Sequence, residues 1–379
     1  MKRILCTVSL AAVIVMTAVE GTWGTQMHSS PFFVAAVFLL MALLAVRIVE
    51  ELRLRSAGSA SADGILTGLL SHCGAFVLCL GSLLGSLSMA DVHMVAIEGQ
   101  PCDTAYSRDG SIVRLPFSVT LKEFRTDYYE DGVSPKQYSS TFTIDGSELQ
   151  TSVNHPCRYG GYRFYQLDYD RDRGEYSLLK LVRDPWIPLA YAGMALLAAG
   201  ALLQLRRSWK GRWLFAVILA VAAAFTLISV ARINLGTLVP ALRSLWFIPH
   251  LSLYMIAFAS LAIALVLCIL ALSGVRPDRL GSLASRLSST ASSLLLLGMT
   301  CGAVWAKAAW GHWWTWDAKE CWAAVTWLLT VAGTHLPDSL RRRRATLLVS
   351  IILAFLAMQI AWYGVGHLPA SLTSLHTYR

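Results

Sequence analysis

Residues 289–305 read Ser289-Thr-Ala-Ser-Ser-Leu-Leu-Leu-Leu-Gly-Met-Thr-Cys-Gly-Ala-Val-Trp305, an uncharged run in which the larger side chains are apolar. It runs into Ala306-Lys-Ala-Ala-Trp310-Gly311-His312-Trp313-Trp314-Thr315-Trp316-Asp317-Ala318-Lys319-Glu320. An apolar helix of about 20 residues is what a bilayer core requires. Eight further runs of this kind lie at roughly 4–19, 31–49, 65–87, 186–205, 213–231, 251–272, 321–336 and 345–363. The chain of 379 residues is 55% hydrophobic and 15% charged, with a mean hydropathy of +0.54. That is too apolar for a soluble protein of this length. The expected fold is therefore an α-helical polytopic membrane protein of about nine helices. The first run follows Met1-Lys2-Arg3, and Glu20-Gly21-Thr22-Trp23 makes a poor cleavage site, so a retained helix is expected.

Lys and Arg set the expected orientation. With the N-terminus inside, the inner segments hold sixteen of them: Lys2 and Arg3, Arg47, Arg53 and Arg55, Arg206, Arg207, Lys210 and Arg212, Arg276, Arg279 and Arg286, and Arg341 to Arg344. The short outer segments hold five: Arg232, Arg243, Lys307, Lys319 and Arg379. This predicts an N-in, C-out chain with residues 305–322 facing outward. The net charge of +9 is then a topology signal, and no basic stripe on a soluble domain suggests a nucleic-acid partner. Arg341 to Arg344 read as a topology determinant that meets lipid headgroups.

One soluble segment, 88–185, separates N-terminal helices (1–87) from a second membrane part (186–379). Alternation predicts strands at 112–121, 137–144, 162–169 and 176–182. Arg108-Asp109-Gly110, Asp131-Gly132, Asp145-Gly146 and Arg173-Gly174 punctuate them. This is a small, mildly acidic outer β-rich domain. Of eight cysteines, only Cys102 and Cys157 fall within it, and an oxidising compartment would let them pair. There is no CxxC and no CxxCH, so neither a redox dithiol nor covalently attached haem is expected in this chain.

The chemistry concentrates at 305–322. An interfacial aromatic belt anchors helix ends with Trp, but rarely at this density. Trp310, Trp313, Trp314 and Trp316 suit a large flat ligand such as a porphyrin. Gly311 and Asp317, which a belt does not need, join them as candidate haem-binding residues, and Asp317 is placed to cap the helix that follows. Four histidines form two depth-matched candidate pairs for haem iron, since bis-His ligation is an ordinary way to hold it. His72 and His335 are the inner pair, within membrane helices where ionisable groups are functional candidates. His250 and His376 are the outer pair. His28 and His367 read as solvated loop residues, His93 and His155 as structural members of the β domain, and His312 as interfacial filler.

Trp310-Gly-x-Trp-Trp-x-Trp-Asp317 with Lys319-Glu320 resembles the tryptophan-rich "WWD" signature of haem-handling proteins in cytochrome c maturation. Its setting is similar to the CcsA (ResC) family. Phe247-Ile-Pro-His250 and Ser374-Leu-His376-Thr-Tyr378 look like that family's outer haem-ligand sites, and His335 in Gly333-Thr-His335-Leu falls where it has a membrane histidine. Residues 65–185 resemble the CcsB (ResB) family through the His72 helix, Gly81-Ser-Leu-Leu-Gly85, Glu98-Gly99, Gly161-Tyr-Arg-Phe-Tyr-Gln166 and Val182-Arg-Asp-Pro185. His312, Ala318 and the short outer domain depart from the family patterns. The resemblance implies a fused, compact system II cytochrome c synthase of a bacterial inner membrane. It would move haem b to the periplasmic face and present it to the CxxCH segment of apocytochrome c, a holocytochrome c synthase (haem lyase) activity. Thiol-reducing proteins and membrane lipids are the other implied partners. Two readings stand beside it: a haem transporter or chaperone without ligation activity, and a b-type electron-transfer protein.

Overall fold

A computed structural model describes residues 2–58, 61–170, 175–209, 220, 224, 228, 238–335 and 344–373. Its helices are α1 (Lys2–Trp23), α2 (Pro31–Ser56), α3 (Ala62–Ser88), α4 (Ile187–Ser208), α5 (Phe247–Leu272), α6 (Pro277–Trp310), α7 (Ala318–His335) and α8 (Arg344–Gln359). Among the described residues, seven helices are long and apolar enough to cross a membrane, and α7, with 18 residues, is not one of them. The expected run at 213–231 lies outside the described residues apart from 220, 224 and 228. The main difference in length is at α6, which begins twelve residues before the apolar run, at Pro277. Pro at the first helical position has no N–H to lose and a φ suited to the helix.

The described helices pack in a closed circuit. α1 meets α2, α2 meets α3, α3 meets α4, α4 meets α6, and α6 meets α7, which returns to α1. α5 and α8 complete a second, four-helix group with α6 and α7. At the seam of α3 against α4, glycines let backbones approach as small residues do in membrane helix pairs. A Cβ at Gly193 would stand 2.5 Å from the Leu78 nitrogen, and one at Gly74 2.7 Å from the Leu197 nitrogen.

Between α3 and α4 the chain forms one antiparallel sheet of eight strands: β1 (Ala90–Ile97), β2 (Pro101–Ser107), β3 (Ile112–Tyr128), β4 (Pro135–Ile144), β5 (Ser147–Ser152), β6 (Cys157–Tyr159), β7 (Tyr162–Tyr169) and β8 (Tyr176–Arg183). Their order is β5-β4-β3-β2-β1-β8-β7-β6. The sheet curls on itself. Thr151 on β5 donates its hydroxyl to the Phe164 carbonyl on β7 at 2.7 Å, and Ser140 on β4 donates to Gln166 Oε1 on β7 at 2.6 Å. Alternate side chains, including Met94, Val119, Leu121, Phe142, Ile144, Phe164, Leu179 and Leu181, fill the interior. Asp145 and Gly146, both at positive φ, make the tight β4–β5 turn. The expected Cys102–Cys157 pair is not formed, and both cysteines are free. Cys102 lies on β2 and Cys157 on β6, with β1, β8 and β7 between them in the sheet order. Each packs against the core instead.

Candidate functional site

α6 stops at Gly311, whose φ of 84° is the left-handed helix end that glycine adopts without cost. A side chain there would also meet the β domain, with a Cβ 3.0 Å from Val182 Cγ2 and 3.1 Å from Tyr165 Cε2. Lys307, buried one turn back, donates to the Gly311 carbonyl at 2.9 Å and lies 3.9 Å from Asp184. The loop then re-enters the bundle through a capping box. Asp317 Oδ1 accepts from the Lys319 nitrogen at 2.8 Å, and Glu320 Oε2 accepts from the nitrogens of Thr315 at 2.7 Å and Asp317 at 3.3 Å. Asp317 therefore shapes the loop by capping α7, as expected.

The tryptophans spread in three directions. Trp310 lies 5.2 Å, centroid to centroid, from Trp305, which in turn is 6.0 Å from His250 and 5.1 Å from Phe247. Trp313 packs with Ile187, Ala190 and Met194 of α4. Trp314 and Trp316 meet edge to face at 5.9 Å, and Trp316 stacks on His28.

His250, near the start of α5, is held by α6. Its Nδ1 lies 2.8 Å from the Gly298 carbonyl, and Gly302 makes room for the ring, since a Cβ there would be 2.7 Å from Nδ1. A carbonyl accepts only, so the proton is on Nδ1 and the lone pair on Nε2, the arrangement found in metal-binding histidines. These residues suit haem: an oriented imidazole beside Trp305, Phe247 and Trp310. His376, its expected outer partner, lies outside the described residues.

His72 Nδ1 is 3.1 Å from Glu51 Oε2 of α2, a carboxylate only 3% exposed that also meets Arg47 Nε at 3.2 Å. His335 is the last residue of α7, and its side chain lies outside the described set. α3 and α7 stand three places apart, either way round, in the circuit of six helices. The two histidines thus belong to opposite walls.

Three residues that matter here were not singled out from the sequence: Glu51, Asp91, and Glu20, whose Oε2 accepts from the His28 backbone nitrogen at 2.8 Å. Each is an acidic residue at the end of an apolar run or strand, where a solvated role is the ordinary expectation. Two readings are corrected. His28 is half-buried against the Trp loop rather than solvated. His312 is 9% exposed, with Nε2 2.9 Å from Asp91 Oδ2 on β1, rather than filling an interface. Asp91 Oδ1 is 3.5 Å from Lys180 Nζ. Burial works against the Asp91 carboxylate, but the His312 hydrogen bond and the Lys180 charge carry its pKa well below the usual range. Burial lowers the pKa of His312 despite its bond to Asp91. The segment 238–243 is a second contact between the β domain and the helices, touched by Asn154 of the domain and Trp305 of α6. The Asn154 amide donates to the Pro240 carbonyl at 2.9 Å, and Trp305 Nε1 donates to Ala241 at 2.8 Å.

Comparison with known proteins places two families on the chain. Residues 186–372 match the family described as cytochrome C assembly protein, and residues 65–177 match the ResB-like family. Relatives described as cytochrome c biogenesis protein CcsA include one from Prochlorococcus marinus (strain AS9601), 32% identical over 180 residues, which cover 38% of this chain and 57% of the relative. One from Synechococcus sp. (strain RCC307) is 30% identical over 191 residues, covering 38% of this chain and 61% of the relative. One from Prochlorococcus marinus (strain NATL2A) is 27% identical over 228 residues, covering 47% of this chain and 70% of the relative. The chain thus spans 57% of the length of the first of these relatives.

Proposed function

The chain joins a ResB-like segment to a CcsA-type cytochrome c assembly segment, and from this premise we propose that it acts in cytochrome c maturation, receiving haem b in the membrane and presenting it at the outer face to apocytochrome c. The observation that carries this reading is His250. Its Nδ1 is committed to Gly298, and its ring sits with Trp305 beside the Trp loop.

In this reading the Arg-rich helix ends face the cytoplasm and the β domain faces the periplasm of a bacterial inner membrane. Haem enters between His72 and His335, on opposite walls of the six-helix circuit, where Glu51 fixes the His72 tautomer. It passes to the outer site, where His250 and His376 hold the iron. There Trp310, Trp313, Trp314 and Trp316 shape the loop that borders the porphyrin. The capping box at Asp317 and Glu320 keeps that loop in place. The protein's contribution to attachment is positioning. Each CxxCH thiol adds across a haem vinyl group, sulfur to one carbon and the thiol hydrogen to the other, so no net oxidation occurs.

The test has two stages. Purified protein should carry acid–acetone-extractable haem b with a low-spin bis-His spectrum. Co-expression with a CxxCH reporter should then yield covalently attached haem. Haem without attachment would favour a carrier that needs partner subunits. A haem-free preparation from haem-replete cells would sink the proposal.

A further inference from the structure

The stretches Gly161-Tyr-Arg-Phe-Tyr-Gln166 and Val182-Arg-Asp-Pro185, which carry the ResB resemblance, meet in one cavity that the proposed haem path does not use. Its volume is about 480 Å³, and Arg158, Arg163, Lys307, Asp184, Ile187 and Pro188 are among its walls. Arg158 on β6 and Arg163 on β7 stand directly opposite each other in the ladder. Like charges so placed weaken a strand pair. Among the described residues neither arginine has an acidic ion-pair partner. Lys307 is 2% exposed, and Asp184, its ion-pair partner, is 3.9 Å away, beyond hydrogen-bond reach. The buried Tyr165 hydroxyl on β7 has no hydrogen-bond partner among the described residues, though the charges of Arg163 and Arg158 reach it. Three cations and one carboxylate thus line the cavity, a surplus that a bound anion would offset.

The place of the cavity narrows the choice of anion. Ile187 and Pro188 begin α4, one of the helices apolar and long enough to cross a membrane, and the end of that helix adds partial positive charge. Trp186, just before it, is 40% exposed. Gly85 of α3 lies at the same level, since a Cβ there would be 3.6 Å from Asp184, and Leu87, two residues on, is 77% exposed. Exposed Trp and Leu beside cations at the end of an apolar helix mark the depth of lipid headgroups. A free phosphate would balance the charge but makes no use of the apolar side chains.

We propose that this cavity binds the phosphate of an anionic phospholipid from the outer leaflet, with the Arg158 and Arg163 guanidinium groups as donors and Lys307 as buried charge. Lys307 also holds the Gly311 carbonyl, so the lipid steadies the β6–β7 edge and the start of the Trp loop together.

The test uses the full chain in nanodiscs of phosphatidylcholine, alone or mixed with phosphatidylglycerol. Phosphatidylglycerol should slow hydrogen exchange at 158–163 and 182–188 in the parent protein. Arg158→Gln with Arg163→Gln should abolish that slowing and leave exchange at the strand core around Phe142 as it was. Arg158→Gln alone, at an exposed position, should lose part of it, which keeps the test decisive if the double variant does not fold. Native mass spectrometry should find one fewer phosphatidylglycerol retained on the double variant. Equal slowing in parent and variants would overturn the site. Equal slowing by inorganic phosphate in phosphatidylcholine discs would show a free-anion site and overturn the lipid assignment. Slowing only on addition of haem b would assign the cations to haem propionates and overturn it as well.

Discussion

His312 of the Trp loop and Asp91 of β1 are joined across the domain boundary, Nε2 to Oδ2, at 2.9 Å. Asp91 is the second residue of the strand that leaves α3, so the bond ties the start of the β domain directly to the loop beside the proposed haem. Lys180 on β8 shares the carboxylate, and Lys307 with Asp184 forms a parallel tie one turn back. Position of the loop and position of the domain are therefore one variable.

Removing one partner should loosen both. His312→Ala or Asp91→Asn leaves a buried polar group poorly paired, which costs about 1–3 kcal/mol. The expected result is faster hydrogen exchange at 310–317 and at β1 together, with the strand core around Phe142 unchanged. Exchange confined to one side of the boundary would show that the bond does not couple them.

The same joint should weaken in acid. Burial depresses the His312 pKa below its ordinary 6.5, so an undocked chain takes up a proton before the docked one does. Docking is then fully stable above about pH 6.5 and loses stability as pH falls below it. Asp91, also depressed, adds a second loss only in the carboxylate range. Limited proteolysis across pH 5–8 should show the loop opening on the acid side, and His312→Gln should flatten the dependence above pH 5.

Much of this architecture is legible in the sequence, for physical reasons. Bilayer thickness forces apolar runs of a fixed length, so the helices announce themselves wherever they are described. The Trp loop is visible because no ordinary role needs so many indoles with Gly311 and Asp317 among them. β3, β4, β7 and β8 show alternation. β5 does not, since Ser147–Ser152 is mostly polar, and β6 has only three residues. The partners of the histidines are hidden for another reason. Glu20 and Glu51 look like ordinary helix-end acids until folding sets them against His28 and His72. Asp91 and His312 lie far apart in the chain, and only the docking of β1 on the loop makes them a pair. Cys102 and Cys157 mislead in the opposite way, because being alone in a domain says nothing about which strands carry them.

Asp317→Ala removes the cap of α7, a change worth about 0.5–2 kcal/mol. The expected loss is local: a small drop in thermal midpoint and a marked drop in haem retention, since the same residues fix the loop's exit. Glu320→Gln should do less, because an amide oxygen still accepts from Thr315 and Asp317. Equal haem retention in Asp317→Ala and the parent would detach the loop's shape from haem binding.

Gly302→Ala tests the seat of His250. The added methyl would fall 2.7 Å from Nδ1, and overpacking of this kind costs about 1–3 kcal/mol. The ring must swing off the Gly298 carbonyl, so the tautomer is no longer fixed. Haem should bind more weakly, with a mixed-spin spectrum, while the helix content by circular dichroism stays the same. A low-spin spectrum at parent affinity would mean that His250 does not meet the iron from this pose.

The inner and outer histidines should fail differently. His250 lies at the end of α5 that meets the Trp loop, whereas His72 lies within α3 with its Nδ1 against a buried carboxylate. Imidazole can diffuse into an outer cavity and supply a missing axial nitrogen, but it does not readily replace a ligand enclosed by helices. His250→Gly and His376→Gly should therefore regain their spectrum and cytochrome yield in part on adding imidazole. His72→Gly and His335→Gly should regain much less. If haem follows the proposed path from the inner site to the outer one, loss of an inner ligand should also deplete the outer site, whereas loss of an outer ligand should leave the inner haem in place. Equal rescue at all four positions would abolish the distinction between inner and outer sites. Unchanged haem content in all four variants would remove the histidines from the mechanism.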